Sequence, residues 1–300
     1  MLENDITPIF ADIDSNGNLD LENLERYLRE DTIAVCSVDY AGRSVDMAKF
    51  YAFAKKHNLI WISDSSHAFG ALDCGRKVGS VADMTIFSFH AVKPMTTCEG
   101  GALVCNNALF DRVSRLVCSH GIVKNTPYNH DCITTGFNFR LNELSAALGI
   151  AQMYRIENFI LKREKIARFY TQYFKDNPYF SMLELPNLNI DVTPRYIVDN
   201  PHISLSTHHL FPVFLTPKLA EKKEDIANAL AAQNIGVQVH YKPIYNFSLY
   251  KKLGFTPDKP LDKAEEFYKM ELSLPCAHST SPTQSKKIAD IIMQTFAKFV

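Results

Sequence analysis

A chain of 300 residues with a net charge of −1 offers neither a basic surface for nucleic acid nor an attraction to anionic lipid. Its 46% hydrophobic and 22% charged residues are those of a globular protein, long enough for two domains with sizeable cores. Seven scattered cysteines without a Cys-x-x-Cys argue against a disulfide framework and against a metal centre, so a cytoplasmic location with reduced thiols is expected.

In chain order, Asp12-x-Asp14-x-Asn16-Gly17 resembles the start of a calcium loop, but the twelfth position, where such a loop needs glutamate, is Asn23. A turn is the reading, followed by a helix capped by Asp20 with Leu21, Leu24 and Leu28 on its apolar side. Residues 33–38 read as a buried strand, 45–57 as a helix and 59–62 as a second strand that ends at Asp64. Residues 84–89 and 102–105 are further strands. Strand, helix, strand at this rhythm predicts a mainly parallel sheet covered by helices, with ligands bound beyond the carboxyl ends of its strands. Asp64 and Ser88 fall at such ends. A helix at 107–119 closes at Gly121, and 124–135 reads as a polar, mobile loop. A long helix over 141–174 leads into the second half. There 186–201 is irregular, 209–215 and 237–240 are strands, 250–254 is a helical turn, and 219–232, 262–270 and 283–299 are helices. This places an α/β domain in 1–150 and a smaller α+β domain in 151–300.

The turn between the strands at 84–89 and 102–105 carries one lysine, Lys93. Pro94 disfavours helical geometry at Lys93, and Gly100-Gly101 lets the backbone turn or approach a ligand closely. A lysine among apolar residues loses its proton readily, and the neutral amine attacks aldehydes, so Lys93 is a candidate Schiff-base residue. The alternative on pattern alone is a solvated charge. Asp64-Ser-Ser-His67 is by itself either a strand end with a helix cap or a carboxylate aimed at a ligand.

Ser88-Phe-His-x-x-Lys93 followed by Thr96-Thr-x-Glu-Gly-Gly101 resembles the lysine motif of the DegT/StrS family of sugar aminotransferases. The resemblance implies a fold-type I transferase that uses pyridoxal 5'-phosphate, with Lys93 forming the Schiff base and Ser88 binding the cofactor phosphate. It makes Asp64 the partner of the pyridinium nitrogen and His67 the residue facing the phenolic oxygen. Gly136-Phe-Asn138-Phe-Arg140 is similar to the family segment whose asparagine reaches the cofactor phosphate of the partner subunit, which implies a homodimer with shared sites. The segment from Gly236 to Pro243 resembles the one near the sugar nucleotide, making His240, Tyr241 and Lys242 candidate substrate contacts. A nucleotide-linked keto sugar as acceptor and L-glutamate as donor follow from the same resemblance.

Family members carry a further segment ahead of the part matched from about Phe10. It holds a phosphate loop at a helix N-terminus, an aromatic residue that stacks on the cofactor ring, and the first strands of the sheet. None of this precedes Asp12, so an incomplete large domain and low activity of the chain as it stands are expected. A truncated gene, a misassigned start and one half of a split enzyme are the open explanations, and a non-catalytic remnant is the rival reading. A sugar dehydratase of the same superfamily is the other rival. It is opposed by Lys93, because those enzymes generally carry histidine there.

Overall fold

The computed structural model describes residues 6–186, 200 and 202–300. A 3-10 helix, Leu21–Tyr27, precedes strand β1 (Ala34–Val38). Helix α1 (Met47–Lys56) begins at Asp46, whose side chain accepts the Lys49 amide, and ends with Lys55 and Lys56 at the negative pole of its dipole. Strand β2 (Ile60–Asp64) runs parallel to β1, with Ala34 opposite Ile60 and Val38 opposite Asp64. A small hairpin of β3 (Leu72–Asp73) and β4 (Arg76–Lys77) leads to β5 (Met84–Ser88), which is parallel to β2. Strand β6 (Gly101–Cys105) returns antiparallel to β5, so the sheet order is β1-β2-β5-β6. The expected sheet is therefore present, with one antiparallel edge.

Helix α2 (Ala108–Cys118) is followed by β7 (Ile122–Thr126) and β8 (Asn129–Cys132), then by α3 (Glu143–Met153) and α4 (Ile156–Tyr173). Strands β9 (Phe180–Met182) and β10 (Phe211–Leu215) come next, then α5 (Pro217–Ala220), α6 (Lys223–Ala231), α7 (Ser248–Lys252) and α8 (Asp262–Met270). Strand β11 (Glu271–Leu274) and α9 (Pro282–Phe296) close the chain. A second, antiparallel sheet has the order β11-β10-β9.

Five local expectations change. The helix expected over 219–232 is split at residues 221–222, with Leu219 and Ala220 in α5 and Lys223–Ala231 in α6. Asp20 caps no helix: its carboxylate accepts Lys263 Nζ at 2.8 Å and Asn23 Nδ2 at 2.9 Å. The stretch read as a loop at 124–135 holds most of the β7–β8 hairpin. All of β8 is exposed, so no alternation of apolar residues marks it. The helix expected over 141–174 breaks at Tyr154 and Arg155, separating α3, mostly exposed, from α4, which buries Ile160, Ala167 and Tyr170. Apolar residues lie on both sides of the break, so periodicity runs through it unmarked. The strand expected at 237–240 is a single bridge, Gln238 to Ser273. Most of the irregular stretch at 186–201 lies outside the described residues.

Two main cores hold the chain. In the first, Trp61 stacks on Phe50 with ring centres 5.6 Å apart, and its Nε1 donates to Ser37 Oγ at 2.9 Å, so the buried indole loses no hydrogen bond. Tyr245 and Leu261, far along the chain, pack into this core. The second core surrounds Tyr170, Phe174, Phe180 and Phe296 between α4, α9 and the antiparallel sheet. Among the described residues no helix is long and apolar enough to cross a membrane.

Candidate active site

Pairing in the sheet puts Asp64 at the end of β2 and Ser88 at the end of the neighbouring β5. The chain then turns through Lys93 and is pinned to itself. The amides of Phe89 and Thr97 donate to Gly100 O and Phe89 O, both at 2.9 Å, and Lys93 N–H donates to His90 O at 3.0 Å. Thr97 Oγ1 adds a bond to Glu99 O at 2.7 Å. Gly101 makes this closure possible, since a Cβ there would stand 2.6 Å from the Phe87 carbonyl oxygen. Gly101→Ala is therefore expected to push β5 and β6 apart and to lower stability by about 1–3 kcal/mol in chemical denaturation. An unchanged midpoint would show that the strand pair yields at no cost.

Lys93 is half-buried. Burial lowers its pKa, and the Asp64 carboxylate opposes that shift. Burial and then the Lys93 charge push His67 down to about 3, and the same two causes lower His240. His209 is lowered by burial, then by His67 and Lys93. One lysine thus faces a carboxylate and three neutral imidazoles. His67 Nε2 meets Tyr241 Oη at 3.1 Å, while its Nδ1 is buried with no partner. The ring of His209 lies 4.4 Å from that of His67, and its Nδ1 is equally unpaired.

Behind Asp64 sits Asp39, almost completely buried. Its Oδ2 accepts the hydroxyls of Ser65 at 2.6 Å and Ser63 at 3.3 Å, its Oδ1 accepts Val45 N–H, and its amide donates to Asp64 O at 3.0 Å. Burial still pushes its carboxyl up to about 6. This network fixes the backbone on both sides of Asp64.

Of the residues singled out from sequence, Asp64, His67, Lys93, His240 and Tyr241 gather here, with Ser88 at the strand end that opens the Lys93 turn. Two do not join them. Lys242 is exposed, with Nζ over the Phe247 ring at 5.7 Å. Asn138 is exposed and bridges Ser119 through its backbone. Sequence reasoning passed over Asp39, His209, Glu271 and Ser273. His209 is held in place by its loop, whose carbonyls at His208 and His209 accept Arg163 Nη1 from α4.

Comparison with known proteins agrees with this geometry. The profile of the DegT/DnrJ/EryC1/StrS aminotransferase family matches residues 1–293. The chain is 40% identical over 299 residues to the UDP-4-amino-4,6-dideoxy-N-acetyl-beta-L-altrosamine transaminase of Helicobacter pylori, covering 100% of this chain and 75% of that protein. It is 41% identical over 293 residues to the transaminase of the same name from Campylobacter jejuni, covering 96% and 73%. Among solved structures, Helicobacter pylori PseC, an aminotransferase of pseudoaminic acid biosynthesis, superposes with a TM-score of 0.89 at 40% identity, over 99% of this chain and 76% of that one. The pyridoxal phosphate form of the sugar aminotransferase Spr1654 from Streptococcus pneumoniae superposes with a TM-score of 0.83 at 26% identity, over 98% and 76%. A parallel sheet with a lysine turn beyond its strand ends, and a sequence matched along nearly its whole length, lead to one conclusion: the chain belongs to the DegT/DnrJ/EryC1/StrS aminotransferase family.

Proposed function

We propose that this chain transfers an amino group from L-glutamate to carbon 4 of a UDP-linked 4-keto sugar, in the making of a pseudaminic acid precursor, with pyridoxal 5'-phosphate as cofactor. The observation that carries this reading is the placement of a half-buried lysine beside the Asp64 carboxylate at the open end of a parallel sheet, in a chain 40% identical throughout to transaminases of that substrate class. The orphaned, buried Nδ1 of His67 fits the cofactor, because a ring hydroxyl would satisfy it.

When bound, pyridoxal phosphate supplies an electron sink for the carbanion formed next to the substrate nitrogen. Lys93 would attach to it through Nζ, and Ser88 Oγ would donate to its phosphate. Asp64 would keep a proton on its ring nitrogen. Lys93 Nζ would accept the proton from the α-carbon of glutamate; burial favours the neutral amine that this needs. His67, held neutral, orients the ring hydroxyl without adding charge. His240 and Tyr241, on the opposite wall, face the sugar.

The reading includes a homodimer. Phe137 and Phe139 stack at 4.8 Å on the surface beside exposed Leu141, and Leu144 of α3 is 86% exposed. An apolar strip of this kind beside Asn138 suits a second copy, toward whose cofactor phosphate Asn138 would reach. Residues 1–150 form the cofactor-binding unit and 151–300 the second unit, and the protein works in the cytoplasm.

The test is turnover of the purified protein with pyridoxal phosphate, glutamate and UDP-, GDP- and dTDP-linked 4-keto sugars, following 2-oxoglutarate and the amino sugar by mass. Conversion of the UDP sugar is expected. Conversion confined to another nucleotide would overturn the substrate assignment, and no 2-oxoglutarate with any of them would overturn the activity.

A further inference from the structure

Behind His240 lies a buried carboxyl with no part in the reaction described so far. Glu271 opens β11 and is completely buried. Its Oε2 accepts the backbone N–H of His240 at 2.7 Å, and its Oε1 accepts the hydroxyl of Ser273 at 2.5 Å. Ser273 Oγ in turn lies 2.8 Å from His240 Nδ1. The backbones are locked in this register, since Ser273 N–H donates to Gln238 O at 2.7 Å. Tyr40 closes the cluster by donating its hydroxyl to His240 O at 2.8 Å.

The proton count determines the imidazole. A serine hydroxyl has one proton. Donated to the Glu271 carboxylate, it leaves only lone pairs on Oγ for His240, so Nδ1 must carry the ring proton and donate. His240 stays neutral, because burial and the Lys93 charge both oppose a second proton. Its Nε2 is then bare, and it has no partner among the described residues.

We propose that Glu271 and Ser273 are positioning residues that hold His240 in the Nδ1–H tautomer, so that Nε2 accepts a hydrogen bond from a hydroxyl of the sugar. The sugar part rests on the function proposed above; the tautomer does not. The fixed backbone N–H makes the relay reversible in a defined way. Glu271→Gln must keep its oxygen toward that N–H, which turns its NH₂ group toward Ser273. The serine then passes its own proton to Nδ1, and the ring proton moves to Nε2.

Protonation of the carboxyl does the same. Burial pushes Glu271 up to about 7, opposed by Ser273, the His240 amide, Lys223 of α6 and Tyr40, so wild type should approach the inverted state as pH falls through that value. Tyr241 also faces this carboxyl, but its own pKa is raised, so it stays protonated across that range.

The experiment is nitrogen-15 NMR of the histidine-labelled full chain at pH above 8, with His240 assigned through His240→Gln, alongside steady-state kinetics. Wild type is expected to show a protonated Nδ1 and a bare Nε2, Glu271→Gln the reverse, and Ser273→Ala a mixture of the two. In both relay variants KM for the sugar should rise roughly tenfold, the scale of one lost hydrogen bond, while KM for glutamate holds. A protonated Nε2 in wild type, or a tautomer unmoved in Glu271→Gln, overturns the relay. An inverted tautomer with unchanged sugar KM overturns the sugar contact and leaves the relay standing. The NMR result reads the same whether or not the proposed sugar is a substrate.

Discussion

Lys93→Ala is expected to abolish transamination and, with it, covalent attachment of the cofactor. Lys93 is the lysine of the turn between β5 and β6, and burial pulls its amine toward the neutral form. Losing the proton-transfer group alone costs on the order of 10²–10⁴-fold. Loss of the attachment point adds to this, so residual turnover should fall below detection. The check is borohydride reduction of the loaded protein followed by peptide mapping. A reduced adduct on Lys93 in the wild type and none in the variant is the expected pair. An adduct on another lysine in the wild type would move the chemistry elsewhere. The sign of the pH dependence follows as well. A neutral amine must act, so the rate falls as pH drops through the lowered pKa of Lys93.

Asp64→Asn has the next largest effect, and it separates binding from chemistry. The amide keeps the shape of the carboxylate, and Asp39, Ser63 and Ser65 still hold the backbone around it. Cofactor stoichiometry should therefore survive. A neutral amide cannot hold a proton on the ring nitrogen, so single-turnover proton abstraction from glutamate should slow on the order of 10²–10³-fold, the scale of losing one aligned electrostatic partner. A second readout comes from Lys93. The Asp64 charge opposes the burial that depresses the lysine, so its removal should carry the Lys93 limb of the pH profile to still lower pH. Near-normal single-turnover rates would show that Asp64 does not serve the ring.

The local part of the site was legible from sequence because its signals are local. Apolar runs ending in Asp64 and Ser88 identify strand ends, and Pro94 with Gly100-Gly101 marks the turn that carries Lys93. Parallel strands follow from the alternation of strands and helices, since two parallel strands need a crossover between them. Where local signals were silent, the reading failed. The break at Tyr154 and Arg155 contains neither proline nor glycine. The β7–β8 hairpin is too exposed to alternate, and Asp20 exchanged its cap for an ion pair with Lys263, 243 residues away.

The opposite wall of the site belongs to the tertiary structure alone. His67 meets Tyr241 across 174 positions of chain, and His240 takes its tautomer from a serine 33 positions further on, which is in turn bonded to the buried carboxyl of Glu271 on the same strand, β11. No spacing rule links these distant segments, because what joins them is the packing of β11 and the 236–243 segment against the carboxyl ends of the parallel strands. Sequence pattern placed a lysine in that turn and a carboxylate at a strand end, and the family resemblance gave them their roles. Only the folded chain brought His209 in beside His67 and set the charge state of the imidazoles, because burial and the Lys93 charge, not residue type, keep those rings neutral.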